Sequence, residues 1–282
     1  MNLNDRALLV QLSVSQWTAR KYDKKVTQEV ASANGVASGV GRYNKSLLPM
    51  NDMLDNVHKK TTHIRTKFYE NTLPWGIEGT MMLPTANYLR FMTDFRKEKS
   101  EWELLVNRFI WDYPKLKADA QRILGSLYNE ADYPTVDELK LKFKMDMAIF
   151  PVPATDFRVQ IASDELTRIQ QDVEARVKSA QSTAMNEAWN RLYERVKNMA
   201  EKLADPSAIF RDSLVENTRE LCALLPRLNF ADDPHLEQMR QDVEASLLKH
   251  PEALRNDLDL RRDTADEAKA IMDKMKSFMG VA

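Results

Sequence analysis

A long apolar stripe in the C-terminal half constrains the fold more than any other feature of the sequence. Between Leu166 and Leu203, apolar residues recur at a mean spacing of about 3.7 residues, which matches one face of an α-helix. The spacing exceeds the 3.5-residue period of a left-handed coiled coil. With Ser163, Asp164 and Glu165 as a favourable start, a helix over residues 163–204 is predicted, roughly 60 Å long at about 1.5 Å per residue. The stripe consists of Leu166, Ile169, Val173, Val177, Ala180, Ala184, Ala188, Leu192, Val196, Met199 and Leu203.

Further helices are predicted after this one. Asp205-Pro206 and Asp233-Pro234 are typical of helix starts, with aspartate at the N-cap and proline at the first helical position. His250-Pro251 precedes a last helical segment that runs toward Phe278. The three central alanines of the long stripe allow a second helix to approach closely. We therefore expect an antiparallel bundle, with helices at residues 163–204, about 206–225, about 234–248 and from 251 onward.

The N-terminal part mixes strand and helix patterns. Apolar and polar residues alternate over 8–14, Met81 and Met82 precede Pro84, and residues 145–162 read as two strands around Pro151-Val152-Pro153. These segments predict a small antiparallel sheet of three or four strands. Helical patterns cover Leu47–Tyr69, with Pro49 in the first turn, as well as Thr85–Trp111 and Leu116–Tyr128. Because proline disfavours helix at the preceding residue, Asp112-Tyr113-Pro114 and Asp132-Tyr133-Pro134 are predicted to end helices, and Asn71–Gly76 to form a turn.

Together these patterns predict an α+β fold that is predominantly helical. A small antiparallel sheet is expected in the N-terminal part and a long-helix antiparallel bundle in the C-terminal part. The change of pattern near residue 163 predicts two domains, 1–162 and 163–282.

A basic, glycine-rich segment is the best candidate for a binding site. Three of the seven glycines fall between residues 35 and 41, within the loop 33–45. Residues 1–75 carry an excess of five positive charges, and residues 164–282 an excess of five negative charges. Cations interleaved with aromatic residues, among them Trp17 and Tyr22, are typical of surfaces that bind nucleic acid, although a solvated basic face has the same composition. The predicted nucleic-acid-binding residues are Arg20, Lys21, Lys24, Lys25, Arg42, Tyr43 and Lys45.

The sequence carries no motif of an enzyme that we recognise. The glycine loop lacks the Lys-Ser/Thr pair of a phosphate-binding loop, and His58 and His63 are five residues apart, off the spacing that places two ligands on one helical face. Cys222 is the only cysteine and lies among leucines, as a buried thiol does. The expectation is a non-enzymatic protein without metal or cofactor. A cytoplasmic location is expected, because no run of about 18 apolar residues is present.

Several short motifs resemble an uncharacterised family of phage and proteobacterial mobile-element proteins, a domain of unknown function. They cover roughly residues 8–162. The resemblance implies genes carried near MoxR-type AAA+ ATPases and near recombination or single-strand-binding proteins, and it implies no catalytic residues. The motifs are Ser13-Val14-Ser15-Gln16-Trp17-Thr18-Ala19-Arg20-Lys21, Gly41-Arg42-Tyr43-Asn44-Lys45, Thr72-Leu73-Pro74-Trp75, Leu83-Pro84, Asp132-Tyr133-Pro134, Pro151-Val152-Pro153 and Asp156-Phe157-Arg158-Val159.

Three hypotheses of function follow. The first is an oligomeric accessory protein of phage or mobile-element DNA metabolism, which self-associates through its C-terminal helices and binds single-stranded nucleic acid through the basic N-terminal surface. The second is an adaptor that binds a MoxR-type AAA+ ATPase through the long helix and the acidic C-terminal surface. The third is a virion or assembly component.

Overall fold

A computed structural model describes residues 3–37, 39–154 and 163–279, and the fold is 69% helical. Within these residues the strands are β1 (Ala7–Ser15), β2 (Arg20–Tyr22), β3 (Asn44–Ser46), β4 (Leu73–Pro74), β5 (Met81–Pro84) and β6 (Lys144–Pro151). The helices are α1 (Lys24–Ala33), α2 (Asp52–Glu70), α3 (Thr85–Leu124), α4 (Val136–Lys142), α5 (Ser163–Ala204), α6 (Ser213–Leu228), α7 (Pro234–Leu247), α8 (Pro251–Asn256) and α9 (Leu258–Met279).

The chain forms two compact units that are interleaved in sequence. The first unit comprises Met1–Gln11, Lys67–Met92 and Ala148–Ala282, and the second comprises Leu12–Thr66 and Thr93–Met147. The sequence analysis instead divides the chain into two consecutive domains. The boundary predicted near residue 163 coincides with the start of α5, which lies inside the first unit.

A four-stranded sheet has the order β4-β5-β1-β6, which confirms the small sheet predicted from sequence. β5 pairs antiparallel with β1, with Ala7 opposite Pro84 and Val10 opposite Met81. β4, which lies in the segment predicted as a turn, pairs antiparallel with β5. In β1 the adjacent residues Leu9 and Val10 are both buried, so this end of the strand is covered on both faces and not on the one face that the alternation predicts.

The first unit is built around the long helix. α5 spans the 42 residues predicted for it and packs chiefly against α9. Their directions are opposite, because the Arg261 guanidinium at the start of α9 contacts the carbonyl of Leu203, whereas Trp189 lies 6.1 Å from Phe278 at the other end of α9. The described long helices of the C-terminal part confirm the predicted architecture. The buried stripe of α5 consists of Ala180, Ala184, Ala188, Trp189, Leu192, Val196, Met199, Ala200 and Leu203.

The helix starts of this part match the prediction in one case and differ in another. Asp233 caps α7 as expected, and its carboxylate accepts the N–H groups of His235 and Leu236. Asp205, in contrast, does not begin a helix. Its carboxylate accepts from the backbone and hydroxyl of Ser207, and its carbonyl accepts from Arg261, so this segment is a turn and α6 begins at Ser213.

The second unit has an aromatic core under α3. Trp17 lies 5.7 Å from Tyr113 and 6.4 Å from Phe109, measured between ring centroids. The Trp102 indole donates to the buried Thr61 hydroxyl over 2.8 Å. Trp17 is thus packed against this core by one side and is partly buried, unlike the exposed tyrosines of the N-terminal part.

Two helix boundaries in this unit differ from the sequence predictions. α2 begins at Asp52 and not at Leu47, because Leu47 is buried ahead of the helix. α3 continues through Pro114, which was predicted to end it. An interior proline costs about 3 kcal/mol. The helical conformation directly before it places Tyr113 in the core with Phe109, and burial of such a side chain contributes roughly 1.5–3 kcal/mol. The Tyr113 hydroxyl also donates to the carbonyl of Pro134 over 2.9 Å.

One predicted strand lies outside the described residues. The first half of the hairpin predicted at 145–162 is β6, and the second half, with Phe157, Val159 and Ile161, falls in 155–162. The predicted last helix is present as two helices, α8 and α9, which Asp257 separates.

Candidate functional site

The predicted basic residues lie on an excursion of the second unit, which we call the arm (residues 20–46). It consists of β2, α1, the glycine loop and β3. The two strands form an antiparallel ribbon with Arg20 opposite Ser46, Lys21 opposite Lys45 and Tyr22 opposite Asn44. At the base, the Leu47 N–H donates to the carbonyl of the buried Ala19 over 2.7 Å. The arm therefore leaves and re-enters the core at one point.

Local hydrogen bonds define helix α1 within the arm. The Asp23 carboxylate accepts the Val26 N–H over 3.1 Å and caps the N-terminus. At the other end, Gly35 has φ of 61°, and the N–H of Val36 reaches the carbonyl of Ala31, the Schellman arrangement in which glycine is favoured. Gly35 therefore ends α1, and the conformational freedom of this glycine has a structural role in the fold.

The arm exposes most of its predicted cations. Arg20, Lys21, Lys24, Lys25 and Arg42 are all exposed. Among the described residues, Arg20, Lys24 and Arg42 have no carboxylate within 4 Å. Lys25 lies 3.9 Å from Glu29 in an exposed pair, and Lys21 lies 3.9 Å from Asp132.

Two tyrosines accompany these cations. Tyr22 and Tyr43 are 45% and 40% exposed. The Arg42 guanidinium lies 5.8 Å from the centroid of the Tyr22 ring, within the range of a cation–π contact. The Tyr43 N–H donates to the Thr27 hydroxyl, which fixes the returning chain against α1.

Lys45 does not belong to this exposed surface, contrary to the sequence prediction. It is the one buried residue among those described in the arm, at 6% exposure. Its ammonium lies 2.9 Å from Asp132 and 3.4 Å from Asp23 and donates to the carbonyl of Leu127 over 2.7 Å. Burial opposes the charge, but the two carboxylates outweigh that effect and raise the pKa of Lys45. Lys45 is thus a structural residue that fastens the ribbon.

A cavity of about 370 Å³ opens at the base of the arm. Arg20, Lys21 and Lys142 supply its cations, and Asp132 and Glu138 its carboxylates. Both carboxylates have partners already, since Asp132 pairs with Lys45 and Glu138 accepts from Thr135. Lys142 and Asp132 are not among the predicted site residues, because only the fold brings them to β2.

The described residues were compared with two kinds of reactive site, a metal cluster and an activated cysteine. Within them, no group of three or more His, Cys, Asp or Glu side chains lies close enough to hold a metal ion. Cys222 is buried as predicted, and burial raises the pKa of its thiol to about 12, which disfavours the nucleophilic thiolate. Over the same residues, no helix is both long and apolar enough to cross a bilayer.

Comparison with known proteins gives no relative from which a role could be transferred. No protein-family model matches the chain, and no curated protein or solved structure matches it significantly. The resemblance to the mobile-element family stays a prediction, and the functional argument depends on the geometry of the arm.

Proposed function

We propose that the protein is a non-enzymatic nucleic-acid-binding protein and that the arm binds a single strand. The observation that carries the proposal is the composition of the arm: five exposed cations and two exposed tyrosines on a segment whose one buried described residue is Lys45. Such a segment adds little to the core, so its charged and aromatic groups are available to a partner.

The placement of two lysines supports a partner that is negatively charged. Lys24 and Lys25 occupy the first turn of α1, which contains no acidic residue. The Asp23 carboxylate caps this end of the helix and offsets part of its positive dipole. Both lysines are nevertheless exposed, so a phosphate beside this turn would be attracted chiefly by their two charges.

The tyrosines favour a single strand over a duplex. Exposed aromatic rings stack on unpaired bases, whereas a duplex hides the faces of its bases. Tyr22 and Tyr43 lie among Arg20, Lys24 and Arg42 on the same arm, so phosphates and bases of one strand can be bound together.

Fluorescence anisotropy with a labelled thirty-residue oligothymidylate across a salt series tests the proposal. Five neutralised phosphates predict a slope of about −3.5 in log K against log salt, or a roughly 130-fold loss of affinity between 50 and 200 mM. The variant Arg20→Ala/Lys24→Ala/Arg42→Ala leaves two cations, so the slope falls to about −1.4 and the loss to about 7-fold.

A charge-matched control separates the arm from net charge. Arg168→Ala/Arg176→Ala/Lys269→Ala removes three exposed cations of the first unit, each paired with a carboxylate. It should keep the wild-type slope. Equal slopes for the two triple variants, or no binding by the wild type at 50 mM salt, would refute the role of the arm.

The wider context stays part of the proposal. We place the protein in the cytoplasm of a bacterial host, in the DNA metabolism of a phage or mobile element, as an oligomer that associates through its C-terminal helices; sedimentation velocity tests the association. The two alternatives, an adaptor of a MoxR-type AAA+ ATPase and a virion or assembly component, are tested by co-purification of the ATPase and by mass spectrometry of particles.

A further inference from the structure

The solvent-facing side of α3 carries a second group of exposed cations, with a tryptophan between them. We call it the outer face; its residues all lie in the second unit and are all exposed. It consists of two series of residues spaced seven apart. Because seven residues are close to two helical turns, the members of each series lie on one side of the helix. The series are Lys97, Leu104 and Trp111, and Arg108, Lys115 and Arg122.

Trp111 is the unusual member of this face. It is 84% exposed, whereas the other four tryptophans, all within the described residues, are buried or partly buried. Leu104, two turns earlier, is 69% exposed. A large aromatic side chain left in water forgoes roughly 1.5–3 kcal/mol of burial, which a partner that covers the ring would supply.

The charges around Trp111 are predominantly positive, with two cations and the half-buried Asp112 beside it. Arg108 precedes Trp111 by three residues and Lys115 follows it by four, so both lie beside it on the helix. Neither has a carboxylate within 4 Å among the described residues. Partly exposed acidic residues, Glu101, Asp112 and Asp119, border the outer face, so its net charge is smaller than its four cations alone would give. Arg122 pairs with Asp119 on the flank of the helix. From Lys97 to Arg122 the face extends roughly 37 Å along the axis.

We propose that the outer face of α3 is a second contact for single-stranded nucleic acid and that Trp111 stacks on a base. The proposal rests on the proposed function of the arm for the identity of the ligand. Charge complementarity favours this occupant, because four of the six side chains are cations. The centre of a protein–protein interface is depleted of charged residues, and one tryptophan with one leucine gives too little apolar area for such a centre.

The outer face and the core-facing side of α3 are distinct surfaces. Phe109 and Tyr113 point into the aromatic core, and Lys117 lies 5.7 Å from the ring of Tyr133. Trp111 and Lys115 lie on the other side of the helix. A variant of Trp111 therefore leaves the core contacts of α3 in place.

The experiment follows tryptophan emission and anisotropy together, with the thirty-residue oligothymidylate at 50 mM salt. In the wild type, binding should quench the emission. Trp111→Phe should abolish most of the quenching and keep the affinity within about threefold, because a phenyl ring still stacks. Trp111→Ala should weaken binding about 5- to 150-fold. Contacts of the outer face add to the slope of about −3.5 that the arm alone gives, and Arg108→Ala/Lys115→Ala should lower the wild-type slope by about 1.4. Ile209→Ala, which removes another exposed apolar side chain, should change neither the slope nor the affinity.

The outcomes separate the two proposals. If Trp111→Ala binds like the wild type while the arm variant Arg20→Ala/Lys24→Ala/Arg42→Ala does not, the outer face is refuted and the arm survives. If the reverse holds, the outer face is supported and the arm is refuted. A change in sedimentation mass of Trp111→Ala with unchanged affinity for the oligonucleotide would mean that a second copy of the chain covers this face, and would also overturn the inference.

Discussion

Lys45 offers the sharpest test of how the arm is fastened. Lys45→Met removes the ammonium that joins Asp23, Asp132 and the carbonyl of Leu127 and leaves an apolar side chain of similar length. Breaking one partner out of a buried ion pair costs about 3–5 kcal/mol. We expect a value near the lower limit, about 3 kcal/mol, because Asp23 still accepts from Val26 and Lys21 lies 3.9 Å from Asp132.

Urea unfolding followed by circular dichroism measures this change. Lys21→Met is the matched control: it removes the lysine opposite Lys45 in the ribbon, whose side chain is 56% exposed, and should cost less than about 1 kcal/mol. Adding Asp132→Asn to Lys45→Met removes one of the two carboxylates that have lost their lysine partner, and it should restore part of the lost unfolding free energy.

Two results would contradict the argument. The first is a cost below 1 kcal/mol for Lys45→Met, which would mean that the network is solvated and contributes little. The second is a further loss of unfolding free energy when Asp132→Asn is added, since neutralising a carboxylate that has lost its partner should stabilise the protein.

The remaining predictions concern pH and the end of the long helix. The pKa of Asp23 is lowered from 3.8, first by the Val26 N–H and also by Lys45, so its stabilisation is present above pH 3.8 and is lost as the pH falls through the lower folded-state value. The pKa of Lys45 is raised from 10.5, so its stabilisation is present below pH 10.5 and is lost above the raised value. The difference in unfolding free energy between wild type and Lys45→Met should therefore be largest between about pH 4 and 10 and should fall at lower and higher pH. A difference that stays the same outside this range would be evidence against the ion pairs. Arg261→Ala should cost about 3 kcal/mol in the same assay, because one buried and three partly buried hydrogen bonds from a charged donor to carbonyls are lost. The neighbouring Arg262→Ala, in an exposed pair with Asp259, should change stability by less than about 0.5 kcal/mol, and equal costs for the two variants would refute the capping role of Arg261.

The elements that sequence predicted best are those whose signal is local and repeated. The stripe from Leu166 to Leu203 is read correctly as one helix because each turn repeats the same apolar position. Pro114 is misread because a local preference of a few kcal/mol is outweighed by the burial of Tyr113, which depends on residues distant in sequence.

Prediction of the candidate site from sequence has the same limit, because contacts between distant residues are not visible in a local pattern. Exposed cations such as Arg20 and Arg42 can be predicted from composition, since lysine and arginine are exposed by default. The burial of Lys45 cannot be predicted in this way, because Asp132 reaches it only in the folded chain. The sequence places Trp111 at the end of a predicted helix, and the exposure of its side chain depends on how that helix packs in the folded chain.

Arg261 makes the completion of α5 depend on a residue translated much later. Its guanidinium donates to the carbonyls of Lys202, Leu203, Asp205 and Ala208, and it follows Leu203 by 58 residues. At a synthesis rate of about 5–20 residues per second, that interval is roughly 3–12 s. During this time the last carbonyls of α5 can be satisfied only by water, so the nascent helix is expected to fray at this end until α9 emerges from the ribosome.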